Sequence, residues 1–229
     1  MKEEEKSATN GDNHDLTQEL VDFDGHQSTS VDTPLREGAF ELDDEEKMLY
    51  IEKHFREIML LLGLDLTDDS LKHTPKRVAK MYVQEIFSGL SPENRPRITL
   101  FDNSFKYGQM LVEKDITFYS TCEHHFLPIR GHAHVAYIST GKVIGLSKIH
   151  RIVHYFAKRP QVQERLTRQI ACAMKKELDT EDVAVLLQGH HMCVSARGIR
   201  DEDSFTVTSE YCGKFKERDV KNEFLTYLK

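Results

Sequence analysis

Polar residues fill the first forty positions, and apolar ones then begin to recur at intervals of three and four. Asp, Glu, Ser, Thr, Asn and Gly dominate residues 1–40 and no period links the few apolar side chains, so this stretch is predicted to be a disordered tail. From Asp44 the pattern is helical: Met48, Ile51, Phe55, Ile58, Met59 and Leu62 fall on one face, with Gly63 as a stop. Thr74-Pro75 reads as an N-cap followed by proline at the first helical position. Val78, Met81, Tyr82 and Ile86 carry that second helix, and Gly89 ends it. Residues 41–98 are therefore expected to form an N-terminal helical region, with a linker-like break between Pro92 and Pro96.

Beyond Leu100 the pattern is mainly that of strands. Residues 116–120 are β-rich, and residues 132–138 alternate, with Ala133, Val135 and Tyr137 on one face. Residues 142–146 follow a Thr140-Gly141 turn. Ser147 reads as the cap of a helix striped by Ile149, Ile152, Val153 and Phe156. Pro160 opens another helix with Val162, Leu166, Ile170 and Met174 inward, and Cys172 is read onto its apolar side. Strands are expected again at 183–187, 192–196 and 205–208, and a closing helix at 216–228. Strand runs and helix runs are segregated, which predicts an α+β domain over residues 99–229, with helices on one face of an antiparallel sheet.

Composition narrows the partners. The chain has 229 residues and a formal net charge of −7, so nothing global attracts it to nucleic acid or to an anionic membrane. The longest apolar stretch, residues 58–64, is far too short to cross a bilayer. The opening Met-Lys-Glu-Glu-Glu-Lys has no apolar run behind it and does not read as a secretory signal. Four cysteines in that setting point to reduced thiols in the cytoplasm, where metal binding is the commoner use.

Two short segments concentrate that chemistry: Cys122-Glu123-His124-His125 and His190-His191-Met192-Cys193. Cys122 and His125 are three apart, close enough for one turn to aim both at one ion, and Cys193 supplies a third donor from far along the chain. Three protein ligands with no evident fourth is the count of a catalytic zinc site, whereas a structural site fills all four positions. His132 and His134 share a strand face but lack a matching third donor, and they read as structural or solvent-facing.

Further motifs carry a resemblance. Cys-Glu-His-His-Phe at 122–126, Gly-Leu-Ser-Lys-Ile at 145–149, Arg-Pro-Gln-Val-Gln-Glu-Arg-Leu at 159–166 and Cys-Val-Ser-Ala-Arg-Gly-Ile-Arg at 193–200 resemble GTP cyclohydrolase I, as does Thr-Pro-Lys-Arg-Val-Ala at 74–79. The match covers roughly residues 45–229. It implies a tunnelling fold, a sheet with two antiparallel helices on one side, and a homodecamer with active sites between subunits. It also implies conversion of GTP and water to 7,8-dihydroneopterin triphosphate and formate. The implied zinc ligands are Cys122, His125 and Cys193.

The resemblance makes His191 the main acid/base, an ordinary role for an imidazole near neutrality. His124 is implied as a second catalytic histidine, although an orienting role stays open. On a strand, His190 and His191 would point to opposite faces, and His191 would share the face of Cys193. Glu164, assisted by Gln163, is implied to read guanine through its adjacent N1–H and amino donors. Lys148, Arg151, Arg197 and Arg77, the last from a neighbouring subunit, are implied to hold the triphosphate. Ser147 matches the residue of the later rearrangement and is equally an N-cap. Another enzyme of the same fold, using a thiol nucleophile and a nicotinamide, is the alternative that the two-segment ligand set opposes. A module with a merely structural zinc would need a fourth ligand. The sequence carries no sign either way of a regulatory protein partner.

Overall fold

The computed structural model describes residues 30–229, within which Asp32–Lys229 forms one unit. The tail expected over residues 1–40 thus lies mostly outside the described residues. Helix α1 (Asp44–Leu61) begins at a capping box. The Asp43 side chain accepts from the Glu46 N–H at 2.8 Å, and the Glu46 carboxylate accepts from the Asp43 N–H at 3.1 Å. The helix ends before Gly63, whose φ of +81° suits a residue without a Cβ.

Helix α2 (Thr74–Met81) departs from the expected cap. His73 stands at the N-cap, and Thr74 Oγ1 instead accepts from Arg77 Nη2 at 2.7 Å. Nor does the helix run unbroken to Gly89. It widens into a π turn over Tyr82–Ile86 and tightens into 3-10 turns at Ser88–Leu90 and Pro92–Asn94. A Cβ at Gly89 would stand 2.0 Å from the carbonyl oxygen of Tyr155. Glycine is therefore required at 89 by close approach to a neighbouring helix rather than as a helix stop.

The remaining elements are β1 (Leu100–Asp102), β2 (Met110–Cys122), β3 (Pro128–Ile138), β4 (Lys142–Ile144), α3 (Leu146–Ala157), β5 (Pro160–Gln161), α4 (Gln163–Leu178), β6 (Val183–His191), α5 (Met192–Ser195), β7 (Thr206–Tyr211) and α6 (Arg218–Tyr227). Strands β1 and β4 form a small antiparallel pair. The main sheet has the order β5-β2-β3-β6-β7 and is antiparallel except for the short parallel contact of β5 with β2. This is an α+β fold, consistent with the tunnelling-fold description.

Three local expectations are corrected. Gly145, not Ser147, is the cap of α3, so Ser147 lies exposed in the first turn. Pro160 pairs with Thr121 in the sheet, and α4 starts only at Gln163. The strand expected at 192–196 is a helical turn. The last cross-strand pair is Ile129 with His191, so no ladder holds the chain extended beyond it.

The sheet has two unlike faces. Ile116, Phe118, Ile129, Ala133, Val135, Val185 and Leu187 belong to one large buried cluster with Ile149, Ile152 and Val153 of α3 and Leu166, Ile170 and Met174 of α4. Burying side chains of this size stabilises by roughly 1.5–3 kcal/mol each relative to leaving them in water. A smaller cluster, Met110, Ala136, Ala184 and Leu186 with Phe215 and Phe224, packs α6 against the opposite face. Cys172 turns outward from α4 and is exposed, contrary to its expected burial. Cys212 is half-buried, with its Sγ 3.8 Å from Glu210 Oε1.

Candidate active site

Strand β2 ends in a tight loop that carries the first two candidate ligands. The Cys122 N–H donates to the Leu127 carbonyl at 2.8 Å, and the Phe126 N–H donates to the Cys122 carbonyl at 2.9 Å. Cys122 is the last helix-side residue of β2 and is buried, whereas His124, His125 and Phe126 are exposed. Strand β6 reaches the same end of the sheet, and α5 then folds Cys193 back toward the loop. The donor atoms of Cys122, His125 and Cys193 all lie within 4.8 Å of one another. Among the described residues this is the one group of three or more such donors that the fold assembles.

The donor set fits a borderline-soft divalent ion, because two sulfurs and an imidazole are what zinc prefers. Burial first, and then the neighbouring Cys122 sulfur, push the Cys193 thiol up to about 11, while the Arg197 charge pulls it down. Two adjacent thiols cannot both ionise cheaply unless a cation sits between them. Arg197 Nη1 lies 2.9 Å from His125 Nε2. A cation held through that nitrogen would displace Arg197, whereas one held through Nδ1 would leave the contact in place.

His191 stands at the end of β6 on the helix side of the sheet, and His190 faces the other way, opposite Arg130. His191 Nε2 is 2.9 Å from Gln163 Oε1. Gln163 is buried, and its amide nitrogen faces the carbonyls of Leu187 at 3.3 Å and Thr206 at 2.9 Å and the Thr208 hydroxyl at 3.1 Å. A Cβ on Gly189 would stand 2.3 Å from that Gln163 oxygen, so the strand admits the amide only because residue 189 is glycine. Burial lowers the His191 pKa below the ordinary histidine value; the Glu164 carboxylate opposes the shift and His190 reinforces it. Glu164 itself is exposed at the first turn of α4.

His124 lies beside the cluster, with Nδ1 3.9 Å from the Cys122 sulfur and Nε2 3.8 Å from Glu123 Oε1. Glu123 is held in turn by the buried Arg165 of α4. The sequence reading passed over both Glu123 and Arg165. The available signal was charged residues inside the two most motif-like segments, one next to a ligand and one on an otherwise apolar helix face.

The proposed phosphate-binding cations are not all gathered here. Lys148 and Arg151 sit on α3, with Arg151 exposed along a groove shared with His154 and Lys158. Arg77 bonds to Ser70 O at 3.1 Å and to Thr74 Oγ1, with no hydrogen bond or ion pair to a site residue. Of the four cations, the structure brings Arg197 to the cluster.

Fold and site together define the class: an α+β protein whose sulfur-rich donor corner could hold a metal ion, with a half-buried imidazole beside it. The family model for GTP cyclohydrolase I matches residues 51–229. A protein named GTP cyclohydrolase 1 from Flavobacterium johnsoniae is 59% identical over 217 residues, which cover 95% of this chain and 96% of that one. Its namesakes from Aeromonas hydrophila and Yersinia pestis are 53% and 56% identical, over 89% and 85% of this chain and 93% and 88% of theirs. The chain belongs to the GTP cyclohydrolase I family.

Proposed function

We propose that this chain opens the imidazole ring of GTP at C8, releases formate and rearranges the product to 7,8-dihydroneopterin triphosphate. The observation that carries this reading is the convergence of Cys122, His125 and Cys193 next to the half-buried His191, in a chain of this family. Zinc is the ion proposed for that corner; when bound it supplies Lewis acidity, which makes water acidic near pH 7 instead of 15.7.

The chain's own residues divide the remaining work. His191 exchanges protons with the purine N7 side of the ring, and its lowered pKa keeps the imidazole neutral and ready to accept at physiological pH. His124 assists from the ligand loop. Glu164 accepts the adjacent N1–H and amino hydrogens of guanine. Adenine would leave that carboxylate unpaired, which makes the contact discriminating. Gln163, assigned by resemblance to guanine binding, has its amide engaged within the protein, which supports a role in holding His191 instead.

Lys148, Arg151 and Arg197 supply positive charge for the triphosphate, and Ser147 is the candidate proton carrier of the rearrangement. Arg77 would serve a site in another copy, in keeping with a homo-oligomer of ten subunits. Residues 99–229 form the catalytic part in this reading, and residues 41–98 the helical region that builds subunit contacts.

The test is direct. Zinc-replete protein given GTP should release formate and yield a pterin that fluoresces after oxidation. Loss of both signals in protein shown to contain zinc would overturn the assignment.

A further inference from the structure

Arg165 is the one arginine or lysine among the described residues that is buried, with its side chain 1% exposed. Its guanidinium meets Glu123 at two points, Nη1 to Oε2 at 2.5 Å and Nη2 to Oε1 at 3.2 Å. Glu123 sits between the candidate ligands Cys122 and His125. Its own backbone N–H donates to the Gln161 carbonyl at 3.0 Å. Backbone bonds close the loop on itself, while the side chains of His124, His125 and Phe126 are exposed and Phe126 takes a φ of +55°.

We propose that Arg165 is a positioning residue for the metal corner, clamping the Cys122–His125 loop to helix α4 through the Glu123 carboxylate and so setting how tightly the metal is held.

Three physical points support the clamp. Burying a guanidinium is expensive, and a buried ion pair is often no better for stability than apolar residues of the same shape, so stability alone is a poor reason for one here. A two-point fork on a carboxylate fixes orientation as well as distance, which a lysine ammonium cannot do. The same first turn of α4 also carries Gln163, which contacts His191. One rigid helical turn thereby references the loop with Cys122 and His125 and the strand end preceding Cys193 to each other. Groups that orient ligands from behind in this way typically change metal affinity 10–100-fold when altered.

This proposal rests on the metal reading above, and the experiment separates the two. Zinc affinity of the assembled wild type, Arg165→Lys and Ile170→Val is measured by competition with a chromogenic chelator, and the cobalt(II) absorption spectrum of each is recorded. Ile170 lies in the apolar core on the same helix and has no polar group to offer Glu123, so its variant controls for lost stability. Arg165→Lys should bind zinc about 10–100-fold more weakly, shift the cobalt bands and leave the KM for GTP within about 2-fold. Ile170→Val should bind like wild type even where its melting temperature falls. Should Arg165→Lys fail to fold, Glu123→Gln, which retains an acceptor for Arg165, carries the same comparison. Unchanged affinity and spectrum in these variants, or an equal loss in Ile170→Val, would overturn the clamp while leaving the metal reading intact. A wild type that binds no zinc would remove the metal reading itself, and the clamp with it.

Discussion

Cys122, His125 and Cys193 were readable one residue at a time, because thiols and imidazoles at short spacing announce themselves by type. The groups that hold this corner in place were not. Gln163 was assigned to guanine only by resemblance, and Arg165 and Glu123 drew no reading, since nothing in a linear pattern shows that residues 42 positions apart meet as an ion pair. His191 lies between these cases, because its type was legible and its partner was not. Replacing His191 with Ala should leave zinc content and native mass unchanged and lower kcat by about 10²–10⁴-fold, the usual range for a lost acid/base group. Metal analysis and steady-state turnover on one preparation check this; a variant with wild-type kcat would remove His191 from the proton-transfer role.

At the level of elements, alternation revealed where strands lie but not how far they run. Strand β2 is 13 residues long, and its period of two breaks at a bulge between Glu113 and Ile116. Asp115 sits there with a φ of +59°, and its N–H donates to Nδ1 of the buried His134 at 3.2 Å. Near β2's start and β3's end both faces are covered, which hides the alternation that sequence reading depends on. Residues 192–195 failed for the opposite reason: an apolar run had no strand left to pair with, so local helical bonds prevailed.

The His134 latch has a pH consequence. Burial lowers the His134 pKa below its ordinary value, opposed by Asp115 and reinforced by His132 and Lys114. The unfolded chain then binds the proton more readily than the folded one. The latch's contribution is therefore fully present above about pH 6.5 and is lost as the pH falls through the lowered folded value. Melting curves between pH 5 and 8 should show this loss, and His134→Asn, which keeps an acceptor for the Asp115 N–H, should flatten it. An equally steep acid limb in the variant would show that other groups carry the effect.

Across the whole molecule, the −7 charge gave no hint that an anionic substrate would be bound, because cations matter by placement and not by sum. No helix among the described residues is long and apolar enough to cross a membrane. Yet α1 and the turn after it present Leu49 at 68% exposure, Leu61 at 88% and Leu62 at 72%, with Tyr50 and Ile58 also uncovered. Apolar side chains in that number on one helix mark a surface meant to be covered by protein. Arg77 bonds within its own helical region, and under the proposed function the partner for both features is another copy of the chain. The exposed leucines then bear on the rate law. Turnover should not stay proportional to enzyme concentration. On serial dilution the rate per chain should fall as copies separate by mass action, and recover on reconcentration. A rate per chain that stays constant while the native mass drops to that of one subunit would mean that each chain works alone.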